Sequence, residues 1–323
     1  MKRRDVVLLG VLAAASPASL AQPVRIPRIG VLAIPPLPQW ALQMEALSAG
    51  LRQRGYVEGK NLVLEVRSAN GRYESLRALA DELVAAKVDV IVAFGTPPSQ
   101  AAKAATTTIP IVMAGVGDPI GTGLVSSLAR PGGNLTGTSN ISPPLVVKRL
   151  ELLKECLPDL RRVALFANPS NPAQAATIRA VESASLSLKL ELRQYAVRSL
   201  DDIRGAFASM RADRVEALVL GNDPLLITHA AAIAEMAKKE HVRSAGNREF
   251  AESGGLIGYG SVNDVLRHAA TYVDKILKGA NPGDLPIEQP SKYEVFLNLK
   301  TAKAADFAIP PSFRLLRVDR VIE

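Results

Sequence analysis

The chain has 323 residues, about two domains' worth at roughly 150 residues per domain. Its 48% hydrophobic and 22% charged composition, with a mean hydropathy of +0.13, excludes a disordered, collagenous or multi-span membrane chain. A single cysteine, Cys156, and three histidines whose spacing forms no metal motif exclude a disulfide framework and a Cys-based zinc site, and the formal charge of +8 raises nucleic acid as a partner only until the charges are located.

Lys2-Arg3-Arg4 precede an apolar run from Val6 to Ala15, and Ser19-Leu20-Ala21 supplies small residues before a cut, which is the three-part pattern of an export signal. Residues 1–21 are therefore read as a signal peptide cleaved near Ala21. The run is far short of the ~20 apolar residues that span a bilayer. The Arg3-Arg4 pair fits either the Sec or the Tat route. After cleavage the chain holds 36 Lys+Arg against 30 Asp+Glu, a net +6. Bases and acids are interspersed and no helix-turn-helix precedes the first strand, so nucleic acid is not an expected partner.

From Arg28 the pattern alternates between strand and helix. Ile29–Ala33 is a short apolar run, Leu42–Leu51 is amphipathic, and Leu62–Val66 alternates. A helix over 74–86 leads to strand Val88–Phe94, a helix over Pro97–Ala105, and strand Ile109–Met113. A Gly/Pro/Asn-rich stretch, Arg130–Gly137, and a helix ending near Leu157 follow. The cycle then restarts with strand Val163–Ala167, helix 172–185, strand Leu188–Tyr195, helix 200–211, strand Val215–Leu220, helix 226–240 and strand Leu256–Ile257. Continuous apolar strands joined by helices imply parallel sheets covered on both faces. Two α/β lobes in tandem account for the restart better than one large doubly wound sheet.

In open parallel sheets ligands sit beyond the carboxyl ends of the strands. Four loops there share a character: Phe94-Gly-Thr-Pro-Pro-Ser99, Ala114-Gly-Val-Gly-Asp-Pro119, Phe166-Ala-Asn-Pro-Ser-Asn171 and Leu220-Gly-Asn-Asp-Pro224. Small residues admit a ligand to the backbone. Thr96, Asn168, Asn171 or Asp223 can cap the next helix or leave its N–H groups free for a carboxylate, and Asp118 or Asp223 can hold an ammonium group. Taken one at a time, each loop reads first as an ordinary N-cap and βα turn, and it is the four together that point to a site.

Enzyme motifs are missing. Gly115-Val-Gly117 runs into Asp118-Pro119 rather than a helix entry, Gly59-Lys60 is followed by Asn61 rather than Ser or Thr, and no Gly-x-Ser-x-Gly occurs. Cys156 lies at helical spacing from Leu152 and Leu153, as a core residue would. His229 and His268 fall within expected helices. No catalytic residue, cofactor or metal site is expected.

Several segments together resemble one known family. They are Gly55-Tyr-Val-Glu-Gly-Lys-Asn-Leu62, Val88–Ala93 leading to Gly95-Thr-Pro97, Lys103-Ala-Ala-Thr106, Gly117-Asp-Pro119, Leu128-Ala-Arg-Pro-Gly-Gly-Asn134, Phe250-Ala-Glu-Ser-Gly-Gly-Leu256, Tyr272-Val-Asp-Lys-Ile-Leu-Lys-Gly279 and Leu299-Lys-Thr-Ala-Lys303. From about Arg28 to the C-terminus the chain is similar to the periplasmic substrate-binding proteins of ABC importers, in the group that includes tryptophan- and tyrosine-type binding components.

The resemblance implies a type I periplasmic-binding fold: two Rossmann-like lobes with parallel sheets, joined by three hinge crossovers and closing on a small molecule. Lobe one would comprise 24–140 plus 259–283, and lobe two 141–258 plus 284–323. It implies a cleft lined by Thr96, Pro97, Gly117 and Asp118 from lobe one and by Asn168, Asn171, Asn222, Asp223 and Arg248 from lobe two. Arg248 would hold a carboxylate or pair with Glu249 or Glu252. Trp40 would stack on a ligand ring or sit in the core. The implied role is a monomeric periplasmic receptor that passes an amino-acid-like or aromatic carboxylate to an ABC permease and its ATPase. An exported enzyme using Asp118 and Asp223, or a sensing module without transport, are the alternatives. One departure stands out: Ile34-Pro-Pro-Leu-Pro-Gln-Trp40 is stiff and apolar where the family carries small polar residues.

Overall fold

The strand runs are short, rich in Val, Ile and Ala, and bounded by Gly, Pro or Asn, so each stops after one crossing of a sheet and hands over to a helix. A computed structural model describes residues 25–261 and 265–323, and the expected signal peptide lies outside the described residues. The first half contains β1 (Arg28–Ala33), α1 (Ala41–Arg52), β2 (Val63–Ser68), α2 (Leu76–Ala85), β3 (Val90–Phe94), α3 (Thr96–Ala105), β4 (Ile111–Val116) and β5 (Leu135–Ser139). The second begins with α4 (Ser142–Cys156), β6 (Arg162–Ala167), α5 (Gln174–Ser187), β7 (Glu191–Ala196), α6 (Leu200–Ala212) and β8 (Ala217–Leu220). It continues through α7 (Pro224–Thr228), α8 (Ala230–Lys239), β9 (Arg243–Gly246), α9 (Arg248–Glu252) and β10 (Ile257–Ser261). After α10 (Val265–Leu277) come β11 (Tyr293–Asn298), α11 (Leu299–Ala304), α12 (Pro311–Arg317) and β12 (Arg320–Ile322).

Two sheets result, in the orders β2-β1-β3-β4-β5 and β12-β11-β10-β9-β8-β6-β7. Every pairing is parallel except β10 with β11. Because side chains alternate across a strand, the continuous apolar runs fill both faces. In the first sheet Ile29, Val31, Val90 and Val92 face α1 and α10, while Leu32, Ile91, Ile111 and Met113 face α2 and α3. In the second, Val163, Leu165 and Val219 pack with α4 and α5, and Ala164, Phe166 and Leu218 pack with α6 and α8.

β5 is a strand that composition conceals, since Leu-Thr-Gly-Thr-Ser lacks the β-branched apolar run of its neighbours yet is buried throughout. A side chain on Gly137 would come within 2.1 Å of the Met113 carbonyl oxygen, so glycine alone lets β5 lie against β4. The expected helix over 226–240 is two helices, α7 and α8, broken at His229.

The chain passes between the lobes after β5, after β10 and before β11. The return expected near Tyr259 falls after Ser261, because β10 stays paired with β11 through that residue. The expected final crossing near Asp284 also comes later. Gly283 accepts from Gly132 N, Ile287 N donates to Leu128, and Glu288 N donates to Gly137, which ties residues 283–288 to the first sheet. α10 packs on α1, where Gly50 leaves no room for a side chain against the Arg267 carbonyl.

Candidate functional site

In each sheet the strand order reverses beside one strand, between β1 and β3 in the first and between β6 and β8 in the second. Helices leave there toward opposite faces, which opens a crevice at the carboxyl edge. The two crevices face each other and enclose a cavity of about 330 Å3. Of the residues expected there, Thr96, Gly117, Asn171, Asn222, Asp223 and Arg248 line it. Trp40, Pro97, Asp118 and Asn168 do not.

Thr96 is 2% exposed and its Oγ1 accepts from Gly117 N at 3.3 Å, so it fastens the β3 and β4 loops together. Pro97 is buried in the first turn of α3, with Pro98 beside it. Proline removes the N–H of each position, so α3 presents the positive end of its dipole with few free donors. α4 is built the same way, with Pro143 and Pro144 after Ser142, whose N–H donates to the Gly117 carbonyl.

Asp223 follows β8 and is 1% exposed. Its Oδ1 accepts from the Tyr73 hydroxyl at 2.8 Å, Asn168 Nδ2 at 3.1 Å and Leu225 N at 3.0 Å, and its Oδ2 from Asn171 Nδ2 at 2.8 Å. Burial pushes its carboxyl above the usual range against those four donors, and burial also raises the Tyr73 hydroxyl. Tyr73 precedes α2 in lobe one, so this bond joins the lobes across the crevice.

Asp118 lies away from the cavity. Its Oδ1 accepts from Gly121 N at 2.8 Å, closing a turn, so no carboxylate pair forms with Asp223. Asn168, fully buried, orders its own loop through Ser170 N at 3.0 Å besides binding Asp223. Arg248 Nε donates to Glu252 Oε1 at 2.7 Å and its guanidinium lies 5.9 Å over the Phe296 ring, so the surface ion pair is formed. Trp40 is 2% exposed in the lobe-one core, with its ring centroid 5.4 Å from that of Phe94, and Phe94 is the ring that reaches the cavity.

Three cavity residues carry no motif. Arg149 of α4 is 1% exposed, with Nε and Nη2 donating to the Tyr259 carbonyl at 3.1 and 3.0 Å. Its Nη1 donates to the Leu220 carbonyl at 3.1 Å and to Asn222 Oδ1 at 2.7 Å. Five N–H groups against these contacts leave one on Nη2 unused. No salt bridge among the described residues includes Arg149, and burial lowers its basicity to about 10 against the opposing charge of Glu249. The sequence signal was a charged residue inside the stripe Leu145, Val146, Leu152, Leu153, Cys156. Gln43 of α1 and Asn140 after β5 also line the cavity. The remaining wall is largely apolar, with Leu42, Phe94, Leu145, Ile227, Leu266 and Tyr293. Leu42 follows the stiff 34–40 loop and is 83% exposed at the mouth. Glu249 also faces the cavity, where the surrounding protein desolvates its carboxyl and raises it above the usual range.

The chain is similar to known proteins over nearly its whole length. A curated tyrosine-binding protein of Clostridioides difficile is 27% identical over 258 residues, 79% of this chain and 74% of that protein. A crystal structure of a conserved domain protein from Vibrio cholerae superposes with a TM-score of 0.83 at 26% identity, covering 92% of this chain and 100% of that one. An ABC domain from Streptococcus pneumoniae in complex with L-Trp gives a TM-score of 0.82 at 24% identity, with the same coverage. The architecture is that of type I periplasmic-binding proteins. Residues 28–316 match the model of the ABC transporter substrate binding protein family, and with two lobes closing over one cavity the chain belongs to that family of small-solute receptors serving ABC transporters.

Proposed function

We propose that this receptor captures a small aromatic or amino-acid-like carboxylate between its lobes and passes it, without catalysis, to an importer permease and its ATPase. The observation that carries the reading is Arg149: a buried guanidinium in no salt bridge among the described residues, with one uncommitted N–H, set in a cavity whose other walls are mainly apolar. A ligand carboxylate supplies an acceptor for that N–H, and an aromatic or aliphatic body fits against Phe94, Ile227 and Tyr293. A cavity of about 330 Å3 suits a solute of amino-acid size. The tyrosine-binding relative points the same way. Against chemistry stands the saturation of Asp223 and the remoteness of Asp118.

On this reading the chain is exported to the periplasm with its leader removed near Ala21 and works as a monomer without nucleic acid. Lobe one then comprises 28–139 plus 265–288, and lobe two 142–261 plus 293–323. Among the described residues no helix is long and apolar enough to cross a membrane. A thermal-shift screen of the protein lacking residues 1–21 tests the ligand class, because a ligand bound only by the folded state stabilises it by RT ln(1 + [L]/Kd). L-tyrosine, L-tryptophan and 3-phenylpropionate form the first panel. A panel of aromatic and aliphatic carboxylates that leaves the melting temperature unmoved refutes the assignment.

A further inference from the structure

Most polar side chains around the cavity are spent on one another. Asn168 and Asn171 serve Asp223, Asn222 serves Arg149, Thr96 serves Gly117, and Asn247 caps Phe250 N. Two amides are not. Among the described residues, Gln43 Oε1 and Asn140 Oδ1 are buried without a hydrogen-bond partner. Both side chains line the cavity. A buried carbonyl oxygen left without a donor is costly, so an otherwise well-satisfied site keeps such groups for something that supplies the donor.

We infer that Gln43 and Asn140 are the specificity-determining residues of this receptor, and that they read an ammonium group on the ligand. The inference rests on the proposed carboxylate site at Arg149. Two oxygens need at least two hydrogens. A hydroxyl carries one, whereas an ammonium carries three and can donate to both amides while remaining hydrated or bonded elsewhere. Gln43 sits on the first turn of α1, directly after the stiff apolar loop, and Asn140 sits at the first crossover, so both reading groups come from the lobe-one side and the hinge. Arg149 and its partners come from the opposite lobe. Recognition of the two ends of a zwitterion is thereby divided between the halves that close on it.

The test compares L-tyrosine, its hydroxy analogue 4-hydroxyphenyllactate and its deamino analogue 3-(4-hydroxyphenyl)propionate by calorimetry on the wild type, Gln43→Glu, Asn140→Asp, Gln43→Met and Asn140→Leu. In the wild type the deamino acid should bind about 10- to 100-fold more weakly than L-tyrosine, with the hydroxy acid between them. Gln43→Glu and Asn140→Asp should hold L-tyrosine within about threefold and bind the deamino acid worse still, since a carboxylate accepts from an ammonium but repels a carboxylate ligand. Gln43→Met and Asn140→Leu should narrow the gap between L-tyrosine and the deamino acid.

Equal wild-type affinities for the amino and deamino acids overturn the assignment while leaving the carboxylate reading intact. Loss of L-tyrosine binding in both acidic variants overturns it too, because it means that the amide nitrogens face the ligand. If none of the three probes binds the wild type, the proposed ligand class falls, and the ligand-free melting temperature still decides the amides. Unpartnered amides can be replaced by Met or Leu with an unchanged or higher melting temperature, whereas a clear drop in both variants shows that they serve the fold.

Discussion

Tyr73→Phe isolates the bond that joins the lobes. The substitution keeps the ring, which packs partly buried against the lobe-one core, and removes only the hydroxyl that donates to Asp223 Oδ1 at 2.8 Å. Tyr73 is not among the residues lining the cavity but its partner Asp223 is, so the scattering profile separates an effect on closure from one on the cavity wall. A hydrogen bond to a charged group contributes about 1.5 to 3 kcal/mol. Asp223 keeps Asn168, Asn171 and Leu225 N as donors, which places the loss at the lower end, about 1.5 kcal/mol. That amounts to roughly tenfold in the closed-to-open ratio, and in affinity wherever binding depends on closure. Calorimetry with L-tyrosine gives the dissociation constant, and solution scattering gives the radius of gyration at saturating ligand. The variant should bind about tenfold more weakly and retain a more expanded fraction. An affinity within twofold of wild type together with an unchanged scattering profile refutes the idea that this bond helps hold the lobes together.

Arg149→Met should lose binding of carboxylate probes and cost about 3 kcal/mol or more of stability in denaturant melts, because the Leu220 and Tyr259 carbonyls and Asn222 Oδ1 lose their donor at once. Arg149→Lys keeps the charge but lacks the planar fork, so it should restore little of the binding. Because Asp223 is raised above 3.8 in the folded protein, the folded state holds its proton longer than the unfolded chain does. Its contribution to stability is full below that value and is lost as pH rises through its folded value. The melting temperature of Asp223→Asn, measured from about pH 3.5 to 8, should therefore gain on wild type as pH rises, and a constant difference refutes the direction. Trp40→Phe should leave ligand affinity within about twofold, since Trp40 lies behind Phe94 and its buried indole N–H has no acceptor among the described residues, while the smaller ring costs about 1 to 2 kcal/mol of packing. A large loss of affinity with little loss of stability would place Trp40 against the ligand instead.

The alternation of apolar runs and amphipathic helices, with Gly, Pro and Asn at the strand ends, determined two α/β lobes and directed attention to the loops after β3, β4, β6 and β8. These signals are local: apolar period fixes element type, and parallel strands bring their carboxyl ends to one edge wherever they pair. β5 and the antiparallel β11 escaped because what makes them strands is a neighbour, Met113 beside Gly137 and β10 beside β11, rather than their own composition. The site divides in the same way. Asp223 and the two asparagines near it stood out by residue type, but only the fold showed that they satisfy one another together with Tyr73, 150 residues away in the chain. Asp118, equally conspicuous, is consumed by its own turn. Arg149, Gln43 and Asn140 looked like ordinary helix or loop residues. Whether a polar group is spent or available depends on which distant carbonyls and carboxylates reach it, and those contacts are made only when segments far apart in sequence are packed together.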